Sequence, residues 1–239
     1  MSRAMTNQAN EGITCAAGAV TSDGGPITVA VLWKPATFAA MGLVTALNGS
    51  SAAVWNVNPF SDAVLYFGTN TDFASASPTV YNPSGLPWRL DVWTKPDGNS
   101  TARYHEYRFD TTTWAHTDKA ATTDGNNGPV ASILLGKLDA DESLNGLLGA
   151  VGVWNTELSD GNIETLEDTL QHWMDLSPAA LWKFNTDDVA GGAVDLTGNG
   201  ADETSHSGTS FSATEPSPFN YALSGGGYVP RGEFLAFFC

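Results

Sequence analysis

Asp139, Asp141 and Glu142 crowd one short stretch of the chain, and carboxylates gathered on a loop are the ligands that a hard cation such as calcium takes. Asp195, Asn199 and Gly200 match the first, fifth and sixth positions of a calcium-loop pattern, but Thr197 is a weak third ligand and His206 stands where a bidentate Glu would close the loop. That passage therefore reads as a turn. The sequence calls for no cofactor; Asp139, Asp141 and Glu142 read as a solvated turn or, alternatively, as a calcium site. Glycoside hydrolysis needs two carboxyl groups roughly 5 to 9.5 Å apart. Glu106 and Asp110 lie four residues apart, which along a strand is ~13 Å. No Glu-x-Asp-x-x-Glu strand, Gly-x-Ser-x-Gly elbow, His-Glu-x-x-His or phosphate loop occurs. His105, His116, His172 and His206 are scattered and suggest no metal or catalytic set. The expectation is a protein that is not an enzyme.

Recognition is the better fit to the residue types. A sugar is held by an exposed aromatic ring on its apolar face and by neighbouring polar groups on its hydroxyls. Trp114 in a Thr-rich passage, Trp55 near Asn56 and Asn58, and Tyr81 before Asn82-Pro83 are the ring candidates. Trp33, Trp93, Trp154 and Trp182 sit in apolar runs and are expected in the core. The last fifteen residues combine a run of three consecutive glycines with an apolar end, Phe234, Leu235, Phe237 and Phe238. Such a tail needs a surface to cover it, so these four residues are the partner-binding candidates.

The elements that must position these groups are strands. The 239 residues include eight Trp, eleven Phe and six Tyr beside 25 Gly and 12 Pro, a mixture that suits short strands joined by tight turns. Charged residues are only 15% of the chain, yet the formal net charge is -16. That imbalance opposes binding to a phosphate backbone, which needs clustered Lys and Arg, so no nucleic-acid partner is expected. No stretch approaches the ~18 apolar residues of a membrane span, and the opening residues lack the continuous apolar run of a secretion leader. Cys15 and Cys239 are the only cysteines and lie near opposite ends. They read as two free thiols, as in a reducing cytosol.

Strand signals recur about every ten residues: 27 to 33, 43 to 47, 53 to 57, 63 to 67 and 132 to 138. The clearest hairpin spans Trp88 to Phe109, turning at Lys95 to Asn99. Its first strand carries Trp88, Leu90 and Val92 on one face, and its second divides into Tyr104, Glu106, Arg108 and His105, Tyr107, Phe109. Residues 118 to 129 read as a flexible loop. Leu147 to Trp154 is an alternating strand, followed by a helix that Ser159 or Asp160 caps and whose apolar positions are Ile163, Leu166, Leu170 and Trp173. A short strand is expected at 179 to 184 and weak strands over 203 to 220. The whole reads as all-β, a two-sheet antiparallel sandwich over residues 1 to 222, with a Gly-hinged apolar arm at 223 to 239.

Gly146, Val151, Val153, Trp154-Asn155 and Leu158-Ser159 resemble the closing strand and helix of laminin-G-like modules, which are concanavalin A-like jelly rolls. A second match is Leu181 to Asn185 with Asp195 to Gly200, similar to a passage that often opens such modules. Here it follows the closing helix, which implies a permuted jelly roll or a strand added at the C-terminal end. Family calcium sites often use acids on the closing strand, where this chain has Gly149 and Ala150. Similar modules occur in bacteriophage tail and surface proteins, whose Ala, Gly, Thr and Asp-rich composition this chain resembles. The resemblance implies a virion structural protein, a minor tail protein, made in the host cytoplasm. Its partners would be other virion proteins, further copies of itself as a trimer, and a host-surface glycan. The alternatives are a capsid decoration protein and a secreted bacterial carbohydrate-binding module.

Overall fold

Ile27 to Trp33 is a β-branched and aromatic run entered from Gly25-Pro26 and left at Pro35, so it favours an extended chain bounded by turns. In the computed structural model it is a strand whose alternate residues face two different apolar layers. Val29, Val31 and Trp33 enter one core, and Ala30 and Leu32 enter another. That double burial fixes the architecture. The structure describes residues 2–6, 11–21, 25–36, 42–59, 65–69, 72–76, 87–97, 101–121, 128–137, 143–184, 193–207 and 210–212.

In chain order the strands are β1 (Ser2–Thr6), β2 (Gly12–Ala16), β3 (Ile27–Pro35), β4 (Val44–Asn48), β5 (Ala53–Pro59) and β6 (Leu65–Thr69). Then come β7 (Asp72–Ala76), β8 (Arg89–Lys95), β9 (Thr101–Arg108), β10 (Thr113–Ala121), β11 (Val130–Leu135) and β12 (Asn145–Trp154). Two short helices follow, α1 (Asp160–Ile163) and α2 (Leu170–Asp175). The last strands are β13 (Ala180–Lys183), β14 (Val194–Asp195), β15 (Glu203–Ser207) and β16 (Ser210–Ser212).

These form a two-sheet antiparallel jelly-roll sandwich. One sheet runs β10-β9-β8-β3-β12-β1-β16, with β13 and β14 branching from β12, and the other runs β15-β2-β11-β4-β5-β6-β7. Between them lies the main core, which holds Trp33, Trp55, Trp93 and Trp182. Trp33, Trp93, Trp154 and Trp182 are all fully buried, as their apolar surroundings in the sequence imply. The edge strands β10 and β7 touch where the sheets meet at one side.

A second apolar layer covers the outer face of the first sheet. There Leu90, Val92, Tyr107 and Trp154 pack under Ile163, Leu166, Leu170 and Trp173 from the helical segment. Gly152 makes this approach feasible, since a Cβ there would fall 2.6 Å from the Trp154 ring and 2.8 Å from the Trp173 ring. The hydroxyl of Thr28 donates to the Thr156 carbonyl and accepts from the Leu158 amide, which pins the entry to this segment.

Three expectations about elements need correction. The single helix expected after the closing strand is two: Ser159 caps α1, the chain turns, and Thr169 caps α2 afresh by accepting from the His172 amide. A cap residue competes with the helical backbone for donors, so Thr169 restarts the helix instead of continuing it. Residues 118 to 121, expected in a loop, extend β10 to Ala121. Strand β10 itself, with β1 and β7, lay in passages too polar or too short to carry a strand signal. In the C-terminal passage, β13 pairs with β12, β15 with β2 and β16 with β1, so the added strands extend both sheets. The proposed boundary at 222 and the arm at 223 to 239 lie outside the described residues.

Candidate functional site

Strands β9 and β10 form a tight hairpin in which Arg108 pairs with Thr113, Tyr107 with Trp114 and His105 with His116. Thr112 closes the turn in the left-handed region at φ 53°. Because side chains alternate along a strand, Arg103, His105 and Tyr107 point outward toward the helical segment, with Trp114 and His116 beside them. The outward residues make two adjoining groups.

The first group is an aromatic ladder. Tyr107 meets Phe109 edge-on at 5.0 Å and Trp114 at 5.1 Å, and Trp114 stacks on His116 at 6.1 Å and 4°. Trp114 is half-buried and His116 is exposed at the sheet edge. Glu167 lies against this ladder. Burial raises its carboxyl above the ordinary range and Asp168 and Glu164 add to the effect, while the Trp114 indole N–H opposes it. Burial, then the charges of Glu167 and Asp168, raises the Tyr107 phenol in turn.

The second group surrounds the histidine pair. Nδ1 of His105 lies 2.6 Å from Nδ1 of His116, and Nε2 of His116 lies 3.0 Å from Glu164 Oε1. Asp160, the first residue of α1, accepts from Arg103 Nη1 through both carboxylate oxygens, at 2.8 and 3.1 Å. That hydrogen bond from Arg103 lowers the Asp160 pKa. One ligand-type atom from each of His105, His116 and Asp160 falls within 4.8 Å of the other two. His105 is fully buried and Asp160 is exposed. Beside them a shallow groove of about 530 Å³ is lined by Arg103, Glu157, Leu158, Ser159, Asp160 and Gly161.

The inward residues of the same strands build a closed ionic cluster. Asp91 accepts from Arg89 Nε at 2.6 Å and Nη2 at 2.7 Å, from Trp33 Nε1 at 2.5 Å and from the Tyr104 hydroxyl at 2.5 Å. Arg89 Nη2 also reaches Glu106 at 3.2 Å. Burial alone would lower the Arg89 pKa, but Asp91, Tyr104 and Glu106 outweigh it and hold the guanidinium above its ordinary value. Burial, reinforced by Asp91, raises the Tyr104 hydroxyl well above its ordinary value. With all these groups shut between the sheets, the cluster is structural. It also removes Glu106 from any surface chemistry, consistent with its poor spacing from Asp110.

The structure treats the sequence-derived candidates unequally. Trp114 lies on the ladder. Trp55 is fully buried in the main core; alternation along β5 sends it inward with Val57, so its ring is not available to a sugar. Tyr81, the calcium candidates Asp139, Asp141 and Glu142, and the arm residues Phe234, Leu235, Phe237 and Phe238 lie outside the described residues. The Asp195 loop is a turn, as its spacing implies. The Asp195 carboxylate accepts from the amides of Leu181, Thr197, Asn199 and Ala201 and from the Thr197 hydroxyl.

The scattered histidines also need correction, because the hairpin register sets His105 directly opposite His116. The signal was present in the sequence. Reading Phe109 to Thr112 as a four-residue turn would have paired the two positions. Arg103, Asp160 and Glu164 gave no such signal, since α1 meets β9 only through the tertiary fold.

No protein-family model matches the chain, and no curated protein matches it in sequence. Solved structures match it in fold. The full extracellular region of zebrafish Gpr126/Adgrg6 is 11% identical with a TM-score of 0.52, over 87% of this chain and 26% of that one. A heptameric SAP-like pentraxin from Limulus polyphemus is 13% identical with a TM-score of 0.49, over 69% of this chain and 80% of that one. Mouse laminin α1 domains LG4-5 are 10% identical with a TM-score of 0.47, over 66% and 43%. The chain thus has a two-sheet antiparallel jelly-roll fold, shared with part of the Gpr126 region. It spans under half of the laminin fragment and about a quarter of the Gpr126 region.

Proposed function

We propose that this jelly roll is a non-enzymatic recognition module that binds carbohydrate at the edge formed by β9 and β10. One observation carries the reading. Trp114 stands half-buried on an aromatic ladder with Tyr107 and His116, on the same outer face as the groove that Arg103, Glu157 and Asp160 line. A ring fixed in this way packs on a sugar face with little loss of side-chain freedom, and the charged groups bond hydroxyls. The laminin-G and pentraxin likeness is one of fold and is compatible with a binding role.

The setting we propose is the outside of a bacteriophage particle, as a minor tail protein that touches host-surface glycan. That part rests on the compositional and modular resemblance to phage tail proteins, and tail genes beside its own would support it. The apolar arm at 225 to 239 would then join the protein to other virion proteins or to further copies of itself. Deleting the arm and measuring mass in solution tests this, an unchanged oligomer being the adverse result.

A glycan-array screen of the full chain tests recognition. Binding that falls at least about tenfold in Trp114→Ala, with the fold intact by circular dichroism, is the expected outcome. An array with no bound glycan, or binding indifferent to Trp114, sinks the proposal.

A further inference from the structure

The histidine pair does more than the aromatic ladder requires. Two imidazole Nδ1 atoms face each other at 2.6 Å. With one proton between them they make a single hydrogen bond; with none, two lone pairs converge on one point. Asp160 brings a carboxylate to the same place, with its ligand atom within 4.8 Å of both rings. We propose that His105, His116 and Asp160 form a binding site for a divalent transition ion of the zinc class.

The ligand chemistry selects the ion. Imidazole nitrogen with one carboxylate suits zinc and its neighbours, whereas calcium takes oxygen ligands. Zinc–nitrogen bonds of about 2.0–2.1 Å in a tetrahedral site set the two nitrogens about 3.3 Å apart. The rings therefore need to part by only about 0.7 Å, and His116, exposed on an edge strand, has room to move. Glu164 supplies the outer support that such sites use, accepting at 3.0 Å from the far nitrogen of His116 and so directing its Nδ1 lone pair inward. Arg103 holds Asp160 in position and, once one carboxylate oxygen turns to the ion, retains the other. Three protein ligands leave a fourth position for water, on the side of the groove that Arg103 and Asp160 line. The strongly acidic chain, at net charge -16, favours capture of a cation.

Zinc chloride titrated into the chelator-stripped full chain, followed by calorimetry, tests the site. One equivalent is expected to bind, with affinity falling more than 100-fold in His116→Ala and about tenfold in Glu164→Gln, whose carboxylate acts only through His116. His172→Ala, on α2, leaves binding unchanged. Asp160→Asn, at an exposed position, keeps the test open should His116→Ala fail to fold, and is expected to weaken zinc by more than tenfold. Cobalt(II) in place of zinc should give visible ligand-field bands without thiolate charge transfer, which excludes Cys15 and Cys239 as ligands. Absence of zinc binding, binding that survives His116→Ala or Asp160→Asn, or displacement by equimolar calcium overturns the proposal. Glycan capture measured in chelator reads the Trp114 ladder separately, so failure of one proposal does not pass for failure of the other.

Discussion

Tyr104 and Glu106 point into the sandwich while Arg103 and His105, on the same strand, point out of it, and the two sets of polar groups have opposite characters. Inside, Asp91 is surrounded by donors from Arg89, Trp33 and Tyr104. Outside, two histidine nitrogens aim at each other and the nearby carboxylate is held by one arginine at the surface. Burial explains the contrast. A charge shut between sheets must be neutralised and hydrogen-bonded or the fold loses several kcal/mol, whereas His116 and Asp160, exposed at a solvated edge, are under no such demand. Polar residues of equal chemical promise in the sequence therefore separate by face: the inner set maintains the sandwich and the outer set remains available to a ligand.

Asp91→Ala presses hardest on this contrast. It leaves Arg89 buried without its main partner, and a loss of about 3–5 kcal/mol is expected in urea unfolding; a loss below about 1 kcal/mol would remove the distinction between the faces. Asp195→Ala comes next. It strips the acceptor from four backbone amides, two of them on buried residues, and should cost about 1–3 kcal/mol. Zinc affinity in that variant should match the wild type, because Asp195 belongs to the structural class. His116→Ala in chelator should cost about 1–2 kcal/mol, since its pairing with Glu164 is at the surface but the truncation also takes a hydrogen-bond partner from the buried His105. A larger cost would make the histidine pair structural after all.

The smallest expected effect concerns pH. Burial raises Glu167 above its ordinary value of 4.5, so the folded protein binds that proton more tightly than the unfolded chain does. Its contribution to stability is complete below the unfolded value and declines as pH rises through the folded one. Glu167→Gln should flatten this decline and slightly raise the unfolding midpoint at pH 7. An unaltered pH profile would mean that Glu167 is solvated like its neighbours on the helical segment.

The sandwich was legible because its strands carry strong signals. β3, β8, β9 and β12 alternate large apolar residues, and their two-faced burial follows from the side-chain period. β10 was not legible, since its Thr-rich sequence reads as loop and becomes a strand only by pairing with β9. Trp114 was found by its type and Trp55 misassigned by the same rule, because residue type does not say which face of a strand looks outward. The histidine pair depended on register, and Asp160 and Glu164 on how a helical segment lies across a sheet. Local sequence encodes neither contact until the long-range fold is known.

The last described strands complete both sheets from the far end of the chain. Ser210–Ser212 pairs with the N-terminal strand Ser2–Thr6, and Glu203–Ser207 closes the edge beside Gly12–Ala16. Pairings across about two hundred residues give the protein a high contact order, and folding slows as such contacts come to dominate. Strand β1 waits for β16 until that segment has been synthesised, so its outer edge is open throughout most of translation. A nascent chain with an unpaired strand edge is prone to associate with other chains. Yield of soluble protein should therefore depend on synthesis rate and temperature more steeply than the stability of the finished sandwich alone would suggest.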